Sequence, residues 1–492
     1  MKVKQNKRWG NTIKKYDGIM PYYCLPQKLQ DLIDLVKRAE REKKRIRAVG
    51  SGYSHSDVAL PQHYLVDLKK MNGLLPIDRK TINPVFDNLN LVHVEAGMTI
   101  RRFNRKMDHQ GLCVKNMGGL DNQTLGGAVS IGTHGTGLNL PSFPGMVRSM
   151  ILVTHGGRCM RIEPTNGLTN KLEHTEQGVE LVQDDKVFYS ALVHLGCFGI
   201  IYSFVLELED MYYLEETKTL EQWKSVKLKL EDRSIFREVD GTSIRGLMVQ
   251  VNPYTNSDGD HSCIVVRHRL LGSKSSRTWK GVSKNCIDTI ASYLPFSYLY
   301  LRWLAQNRSH KIPKILEQKL RSLRDNRYVN KGHRVLYRGA DYRQNKVYDS
   351  EFAFDLTGGK NNFIAALESL FMKAAENKAK GLYQTAPMGL RFVDKSPAYL
   401  SPEYNKKVAY VDTPFIKGTP QLDQQLLAYQ EIMLKFSGIP HWGKINTILN
   451  EKPEVIKANY PNLREWQEVF NYLNPDNLFS NKFSDRLKLG SI

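Results

Sequence analysis

Two glycine-rich segments carry residue types that could hold a phosphate-bearing ligand. The first, GSGYSHSD at residues 50–57, has two glycines, three serines and His55. Glycine lets the backbone approach a ligand closely, and main-chain N–H groups and serine hydroxyls donate hydrogen bonds to phosphate oxygens. Gly50 and Gly52 match the start of the dinucleotide-binding pattern, but His55 stands at its third glycine and the sequence has no Walker A pattern. Alone, this segment fits an ordinary tight turn equally well.

The second segment, GGLDNQTLGGAVSIGTHGTG at residues 118–137, makes a ligand-binding interpretation stronger. It has seven glycines in twenty residues, with threonine and serine hydroxyls among them. It is too long for a hairpin turn, so we predict a loop that wraps an extended ligand and offers donors on several sides.

The elements around these segments predict an α+β protein. Apolar residues recur at helical spacing over 25–42, and RIRAV then reads as a strand that runs into the first glycine segment. Further apolar runs between 146 and 208 predict buried strands. We predict a first domain over 1–208, a second over 209–440 and a C-terminal segment over 441–492 that returns to the first domain; no internal repeat or linker marks the boundaries.

The composition of the 492-residue chain is that of a globular protein, with 41% hydrophobic and 25% charged residues. This excludes a disordered or fibrous chain. The six cysteines lie far apart without a C-x-x-C pair, which argues against a zinc framework or a disulfide scaffold and favours a reducing, cytoplasmic location. No apolar region follows the basic N-terminus and no stretch of 18 charge-free apolar residues occurs, so we expect neither secretion by a cleaved signal nor a membrane-spanning helix.

The net charge of +21 is concentrated in residues 264–343, which hold 18 Lys or Arg against 4 Asp or Glu, a net of +14. Within them lies IDTIASYLPFSYLYLRWLA (287–305) with five aromatic residues, and then a basic run, 311–334, for which we predict a helix. Aromatic rings with cationic flanks suit an anionic membrane surface, so peripheral attachment is one interpretation. A cap helix over the active site is another. A nucleic-acid surface is a third, but no known motif supports it.

Four motifs, in order and spacing, resemble the FAD-linked oxidases of the vanillyl-alcohol oxidase superfamily. They are GSGYSHSD, MGGLDNQTLGGAVSIGTHGTG, LGCFGIIYSFVLEL and the pair PHWGK and NPDNLFSNKFSDRL. Within it the sequence is similar to the sugar-lactone oxidoreductases (gulono-, arabinono- and galactonolactone types) and the alditol oxidases. The resemblance implies a two-subdomain PCMH-type FAD-binding domain and an α+β substrate (cap) domain.

The resemblance also implies which residues bind FAD. The pyrophosphate would lie on the first segment, the flavin along the second, and the adenine near a third glycine pair. The implied cofactor-binding residues are Gly50, Ser51, Gly52, Tyr53, Ser54, His55, Gly119, Asp121, Gln123, Thr124, Gly127, Ser130, Thr133, His134, Gly135, Gly196, Gly199 and Ile200. No metal is implied.

The chain departs from its relatives at the flavin anchor. Many of them bond a histidine of the first loop to the flavin, and Tyr53 stands at that position here. We therefore predict non-covalent FAD. A bond from Tyr53 or His55 remains open, because alternation along an extended loop would place both side chains on one side.

The resemblance also implies catalytic residues. Lys444 of HWGK would approach the flavin, where a fixed cation stabilises the charge that develops on reduction. Arg391 of PMGLRF matches the arginine of the relatives' strand, but Gly389 replaces their substrate-binding glutamate and Val411 their histidine. Asp412, Tyr410 and Glu351 are left as candidate bases, and an unpaired Arg391 would suit an anionic or carbonyl-bearing substrate.

We therefore predict an FAD-dependent oxidoreductase that oxidises a hydroxyl-bearing carbon by hydride transfer to flavin N5. The substrate is a small molecule or lipid-linked: a sugar lactone, an alditol or a bulkier, lipid-like alcohol. O₂ or another acceptor reoxidises the flavin. The alternative is a flavoprotein that has lost catalysis and uses its basic segment to bind a membrane or nucleic acid.

Overall fold

Three sheets form the frame of the protein. The computed structural model describes residues 1–174, 176–238, 243–272, 275–283, 296–338 and 347–490. The first sheet has four strands in the order β1-β2-β4-β3, antiparallel between β1 and β2 and otherwise parallel. Its strands are β1 Lys2–Gly10, β2 Asp17–Leu25, β3 Ile46–Val49 and β4 Tyr64–Asp67.

The second sheet has seven strands in the order β10-β9-β8-β11-β6-β5, with β7 paired to β11. These strands are β5 Leu74–Leu75, β6 Asn90–Glu95, β7 Leu112–Cys113, β8 Val147–Val153, β9 Cys159–Glu163, β10 Glu180–Gln183 and β11 Ile200–Asp210. The central strand β11 is buried along most of its length, as its apolar run predicts.

The third sheet has eight antiparallel strands in the order β15-β12-β14-β13-β18-β19-β17-β21, and β16 pairs separately with β20. The strands are β12 Tyr213–Gln222, β13 Gly246–Thr255, β14 His261–Leu271, β15 Asn326–Lys331, β16 Val347–Tyr348, β17 Glu351–Asp355, β18 Met388–Val393, β19 Val408–Asp412, β20 Phe415–Ile416 and β21 Ile439–Pro440.

Helices pack against these sheets. They are α1 Leu29–Arg41, α2 Ile100–His109, α3 Leu125–Ser130, α4 Asp185–Leu192, α5 Trp223–Glu231, α6 Phe296–Asn307, α7 Ile312–Ser322, α8 Gly332–Leu336, α9 Asn362–Ala379, α10 Leu422–Lys435, α11 Glu454–Asn459, α12 Leu463–Leu473 and α13 Lys482–Arg486. The largest apolar core is continuous from α1 to α12, so the C-terminal helices pack with the elements that begin the chain. The predicted α+β class is confirmed.

Two local predictions were wrong. Residues 118–137 are not wholly a loop, because Thr124 begins the short helix α3 by accepting a hydrogen bond from the Gly127 N–H at 3.3 Å. The basic run 311–334 is not one helix: α7 ends at Ser322 and β15 follows. In β15, Tyr328 and Asn330 are buried while alternate residues face outward, and pairing with β12 therefore overrides the helical preference.

The aromatic segment 287–305 is described only from 296 onward, so its residues 287–295 lie outside the described part. In the part of this segment that the structure describes, α6 buries Leu304 against Ile312 and Leu316 of α7. Five cysteines of the described part are buried free thiols. Among the described residues, no helix is both long enough and apolar enough to cross a membrane.

Candidate active site

An elongated cavity joins the first two sheets to the third. Its first part is lined by residues 47–54, by residues around α3 and by 194–201. Its second part is lined by 118–120, by His134 and by residues of β17, β18 and the C-terminal segment. Tyr53, Gln123 and Ile131 line both parts, so the two parts adjoin at these residues. The shape suits an extended ligand with a reactive group at the second end.

The first glycine segment turns sharply between β3 and the cavity. Gly52 has φ +75°, a left-handed conformation that favours glycine. Its carbonyl accepts a hydrogen bond from the Thr12 N–H at 2.8 Å. A Cβ on Gly50 would overlap Thr124 Oγ1, so the two glycine segments touch here. The loop is therefore fixed on one side by the β1–β2 turn and on the other by the start of α3.

The C-terminal segment closes the same loop from the other side. The His55 N–H donates to the Gly443 carbonyl at 2.8 Å, and Ser56 Oγ donates to the Trp442 carbonyl at 2.7 Å. Trp442 itself is buried, and its indole N–H donates to the Leu400 carbonyl. These bonds bring Lys444 to the wall of the second part, beside the first glycine segment.

Most of the residues implied as cofactor ligands line the cavity. They are Gly50, Ser51, Gly52, Tyr53, Ser54, His55, Gly119, Gln123, Thr124, Gly127, Ser130, Thr133, His134, Gly196 and Gly199. Three others do not line it. Asp121 forms an ion pair with Arg101 at 2.6 Å, Gly135 packs against Asn116, and Ile200 is buried in β11.

Tyr53 and His55 both line the second part of the cavity, so the structure places both side chains toward the same space. The Tyr53 hydroxyl accepts a hydrogen bond from Asn122 Nδ2 at 3.1 Å. Burial lowers the pKa of His55 to about 3. Its imidazole is therefore neutral near pH 7.

A cluster of buried charges lies at the far end of the cavity. Lys444 Nζ contacts the Asp349 carboxylate and lies 3.3 Å from Glu351 Oε2. His134 Nε2 lies 3.5 Å from Glu351 Oε1, and the His134 ring stacks on Tyr410 with the ring centroids 3.8 Å apart. Asp349 and Glu351 are 3% and 1% exposed. The two carboxyl groups are thus almost fully shielded from bulk water, whereas the Lys444 side chain is 22% exposed.

The electrostatic environment gives the carboxyl groups of Asp349 and Glu351 different pKa values. Burial opposes ionisation of both. Lys444 and His134 nevertheless hold the pKa of Glu351 well below its usual range, whereas burial raises that of Asp349 to about 7. The two acid neighbours keep Lys444 protonated, with a pKa above its usual value despite burial. Sequence analysis missed Asp349, although its position two residues before Glu351 could have indicated a shared face.

Arg391 is not unpaired, contrary to the prediction. Its guanidinium lies 3.6 Å from Asp412 Oδ2. Asp412 is the direct cross-strand partner of both Gly389 and Glu351, and a Cβ on Gly389 would overlap the Asp412 carboxylate. Asp412 therefore lies behind Arg391, and it does not line the cavity.

Two further sequence assignments need correction. Val411 pairs with Leu390 in the sheet, so its side chain lies on the face opposite that of Gly389, and Asp412 is the residue of β19 that shares the Gly389 face. Tyr410 is fully buried, and its hydroxyl donates to Glu403 at 2.8 Å. Burial raises the Tyr410 pKa well above its ordinary value, which argues against Tyr410 as a base.

Buried polar atoms of the cavity that lack hydrogen-bond partners are consistent with binding of a flavin nucleotide. Within the described residues, His55 Nδ1 and Gln123 Oε1 are buried and have no hydrogen-bond partner. Both residues line the second part of the cavity. Because a buried polar atom without a partner is costly, a polar ligand that bonds to them would stabilise the site.

Comparison with known proteins agrees with this fit. Residues 20–163 match the family model described as "FAD binding domain", and residues 264–487 match that of "D-arabinono-1,4-lactone oxidase". The chain is an FAD-dependent oxidoreductase related to the sugar-lactone oxidoreductases.

Relatives of this oxidoreductase extend over nearly its whole length. It is 23% identical to the L-gulonolactone oxidase of Bos taurus, with 98% of each chain covered. It is also 23% identical to the L-gulono-1,4-lactone dehydrogenase of Mycobacterium tuberculosis, with 94% of each covered. The crystal structure of cholesterol oxidase from B. sterolicum superposes with a TM-score of 0.73 at 14% identity, covering 99% of this chain and 97% of the other. That structure supports the fold alone.

Proposed function

We propose that the protein oxidises a hydroxyl-bearing carbon of a polyhydroxylated substrate of the sugar-lactone class. The observation that carries this proposal is the charged end of the cavity, where Lys444, Arg391, Glu351 and His134 line one wall. A wall of donors and acceptors suits a substrate with many hydroxyl groups better than a sterol or a lipid chain. When bound, FAD supplies the acceptor for the hydride.

Each charged residue of this wall has a distinct role in the proposal. Lys444 is protonated and held by two carboxylates, so it presents a fixed positive charge to the place where negative charge develops on reduction. Arg391 is oriented by Asp412 and binds a carbonyl or hydroxyl oxygen of the substrate. Glu351 stays ionised and orients both Lys444 and His134.

A substrate panel tests the function. The purified yellow protein is mixed anaerobically with sugar lactones, alditols, a prenyl-linked sugar and a sterol, and flavin absorbance is followed. We expect bleaching with at least one lactone and none with the sterol. Reduction by the sterol or the lipid-linked sugar alone would replace the proposed class, and no reduction by any member would contradict it.

FAD is non-covalent in this proposal. Tyr53 stands at the position of the relatives' histidine anchor, and its hydroxyl already bonds to Asn122. Acid precipitation should release all of the flavin into the supernatant. A pellet that stays yellow, and a peptide that contains Tyr53 or His55 and carries the flavin mass, would contradict this prediction.

An anionic membrane surface is the proposed partner of the outer face of α6. Leu299, Tyr300 and Trp303 are 50%, 56% and 49% exposed there, while Leu304 is buried. Arg302 is also exposed, and the surrounding residues 264–343 carry the net charge of +14. Exposed rings next to cations match the depth and the charge of an anionic headgroup layer.

Vesicle co-sedimentation tests this surface. We expect binding to phosphatidylserine vesicles at low salt, loss of binding at high salt, and loss in a Tyr300→Ser/Trp303→Ser variant. Leu228→Ser, which removes an equally exposed apolar side chain on α5, is the matched control and should bind normally. Equal binding to phosphatidylcholine, or no effect of the double substitution, would contradict the assignment.

A further inference from the structure

Negative charges outnumber positive ones at the end of the cavity. Asp349, Glu351 and Asp412 are each at most 5% exposed, and they face two permanent cations, Lys444 and Arg391. Three carboxylates cannot all stay ionised beside two cations without a large cost of burial. One of the three should therefore bind a proton easily.

The positions of the three carboxyl groups indicate which one. Glu351 has a buried oxygen, Oε1, without a hydrogen-bond partner among the described residues, but its Oε2 lies 3.3 Å from Lys444 Nζ and its Oε1 lies 3.5 Å from His134 Nε2, so its charge is stabilised from two sides. Asp412 lies behind Arg391 and away from the cavity wall. Asp349 lines the wall, and its Oδ2 contacts Lys444 while its Oδ1 is buried without a hydrogen-bond partner among the described residues.

We propose that Asp349 is a catalytic residue and accepts the proton of the substrate hydroxyl. This inference rests on the proposed function. The C–H bond of the substrate breaks and its electron pair leaves as hydride to the oxidised flavin. The O–H bond breaks and its proton goes to Asp349 Oδ1. A C=O bond forms, and Asp349 becomes a neutral acid.

The surroundings of Asp349 favour this role. The groups that face it are Lys444 from the C-terminal segment, Asp412 from β19, Glu351 from β17 and His55 from the first glycine segment. Lys444 stays protonated and His55 stays neutral near pH 7, so neither exchanges a proton there. Burial raises the pKa of Asp349 to about 7, with Lys444 opposing this rise and the Asp412 and Glu351 carboxyl groups adding to it, and this value is close to the optimum for a general base.

Substitution of Asp349 in the FAD-loaded protein tests the proposal. With a lactone that reduces the wild-type flavin, the rate should rise with pH through about 7, because only the ionised carboxylate accepts a proton. Asp349→Asn should slow reduction by about 10²- to 10⁴-fold and abolish this rise. Asp355→Asn, at the partly exposed end of β17, is the control and should retain both the wild-type rate and its rise with pH. A normal rate and pH profile in Asp349→Asn would overturn the proposal.

Infrared spectroscopy provides a readout that does not need turnover. The wild-type holoprotein should show the band of a buried, protonated carboxylic acid at pH 6 that disappears by pH 8. The band should be absent in Asp349→Asn and present in Asp355→Asn. If the wild type lacks the band, Asp349 does not titrate in this range and the proposal fails, even if a substrate is found.

A third variant keeps the test informative if Asp349→Asn does not fold. Asp412→Asn removes a like charge and also the carboxylate that lies 3.6 Å from the Arg391 guanidinium. The substitution should shift the infrared titration of Asp349 to lower pH, and the rate profile with it. An unshifted titration would contradict the electrostatic argument. If no substrate reduces the flavin but the band titrates as described, the proposed function fails and the assignment of Asp349 as the titrating group stands.

Discussion

Replacing Lys444 by Met tests the charge cluster most directly. Met preserves most of the volume of the side chain but removes the ammonium group that contacts Asp349 and lies 3.3 Å from Glu351 Oε2. Both carboxyl groups are almost completely buried. Removing one partner of a buried ion pair costs roughly 3–5 kcal/mol, because the remaining charge has no compensation. We therefore expect the free energy of unfolding to fall by about 3–5 kcal/mol at pH 8.

The sign of the pH dependence follows from the same contacts. Without Lys444, the pKa values of Asp349 and Glu351 in the folded protein rise. A group whose folded pKa is raised gives more stability at low pH and loses it as the pH rises through that pKa. The difference between wild type and Lys444→Met should therefore be smaller at pH 6 than at pH 8.

Urea unfolding of the FAD-loaded proteins at both pH values measures this difference. Lys373→Met, which removes a surface pair with Glu376, is the control and should cost less than about 1 kcal/mol. Anaerobic mixing with a reducing substrate should show flavin reduction slowed by about two to three orders of magnitude in Lys444→Met. A loss of stability below about 1 kcal/mol that is the same at both pH values would refute Lys444 as the counterion of this cluster.

Two further predictions concern the cofactor loops. Gly50→Ala should abolish FAD binding, measured by flavin retention on gel filtration, because its Cβ overlaps Thr124 Oγ1, whereas Gly272→Ala, at a position with open space, should stay yellow. Burial lowers the pKa of His194 from 6.5 to about 3, so its contribution to stability is complete above pH 6.5 and is lost as the pH falls. Between pH 7 and 5.5 the free energy of unfolding, measured with urea, should fall by about 1 kcal/mol less in His194→Gln than in the wild type. His310→Gln, which changes an exposed histidine, is the control and should behave as the wild type. Equal losses in all three proteins would contradict the assignment.

The sequence predicted the parts of the site that depend on local chain geometry. The turn at Gly52 and the shared direction of Tyr53 and His55 each depend on a short run of residues, whereas the return of Trp442 and Lys444 to the first loop was implied only by the resemblance to the FAD-linked oxidases. The period-2 alternation of an extended segment and the backbone needs of a glycine turn act over a few residues, so they are visible in the sequence.

The parts that were not predicted depend on contacts between distant segments. Asp121 forms an ion pair with Arg101 of α2 and does not line the cavity. The strand β15 forms because β12, more than a hundred residues earlier, offers an edge with which it pairs. No feature within residues 326–331 indicates that edge. Pairing with a distant strand, and not local propensity, therefore determines that these residues form a strand.

Whether the site keeps a carboxylate near Gly389 depends on the register of the sheet. From the sequence, glycine at this position suggests that the site has lost a carboxylate. In the structure, Asp412 lies directly across from Gly389, and its carboxylate occupies the space that a side chain at 389 would need. Arg391 therefore keeps an acidic partner, but from the neighbouring strand. Because two adjacent antiparallel strands present directly opposed residues on one face, either strand can supply this carboxylate. A missing motif residue is thus weak grounds for inferring lost catalysis when its cross-strand neighbour is an acid.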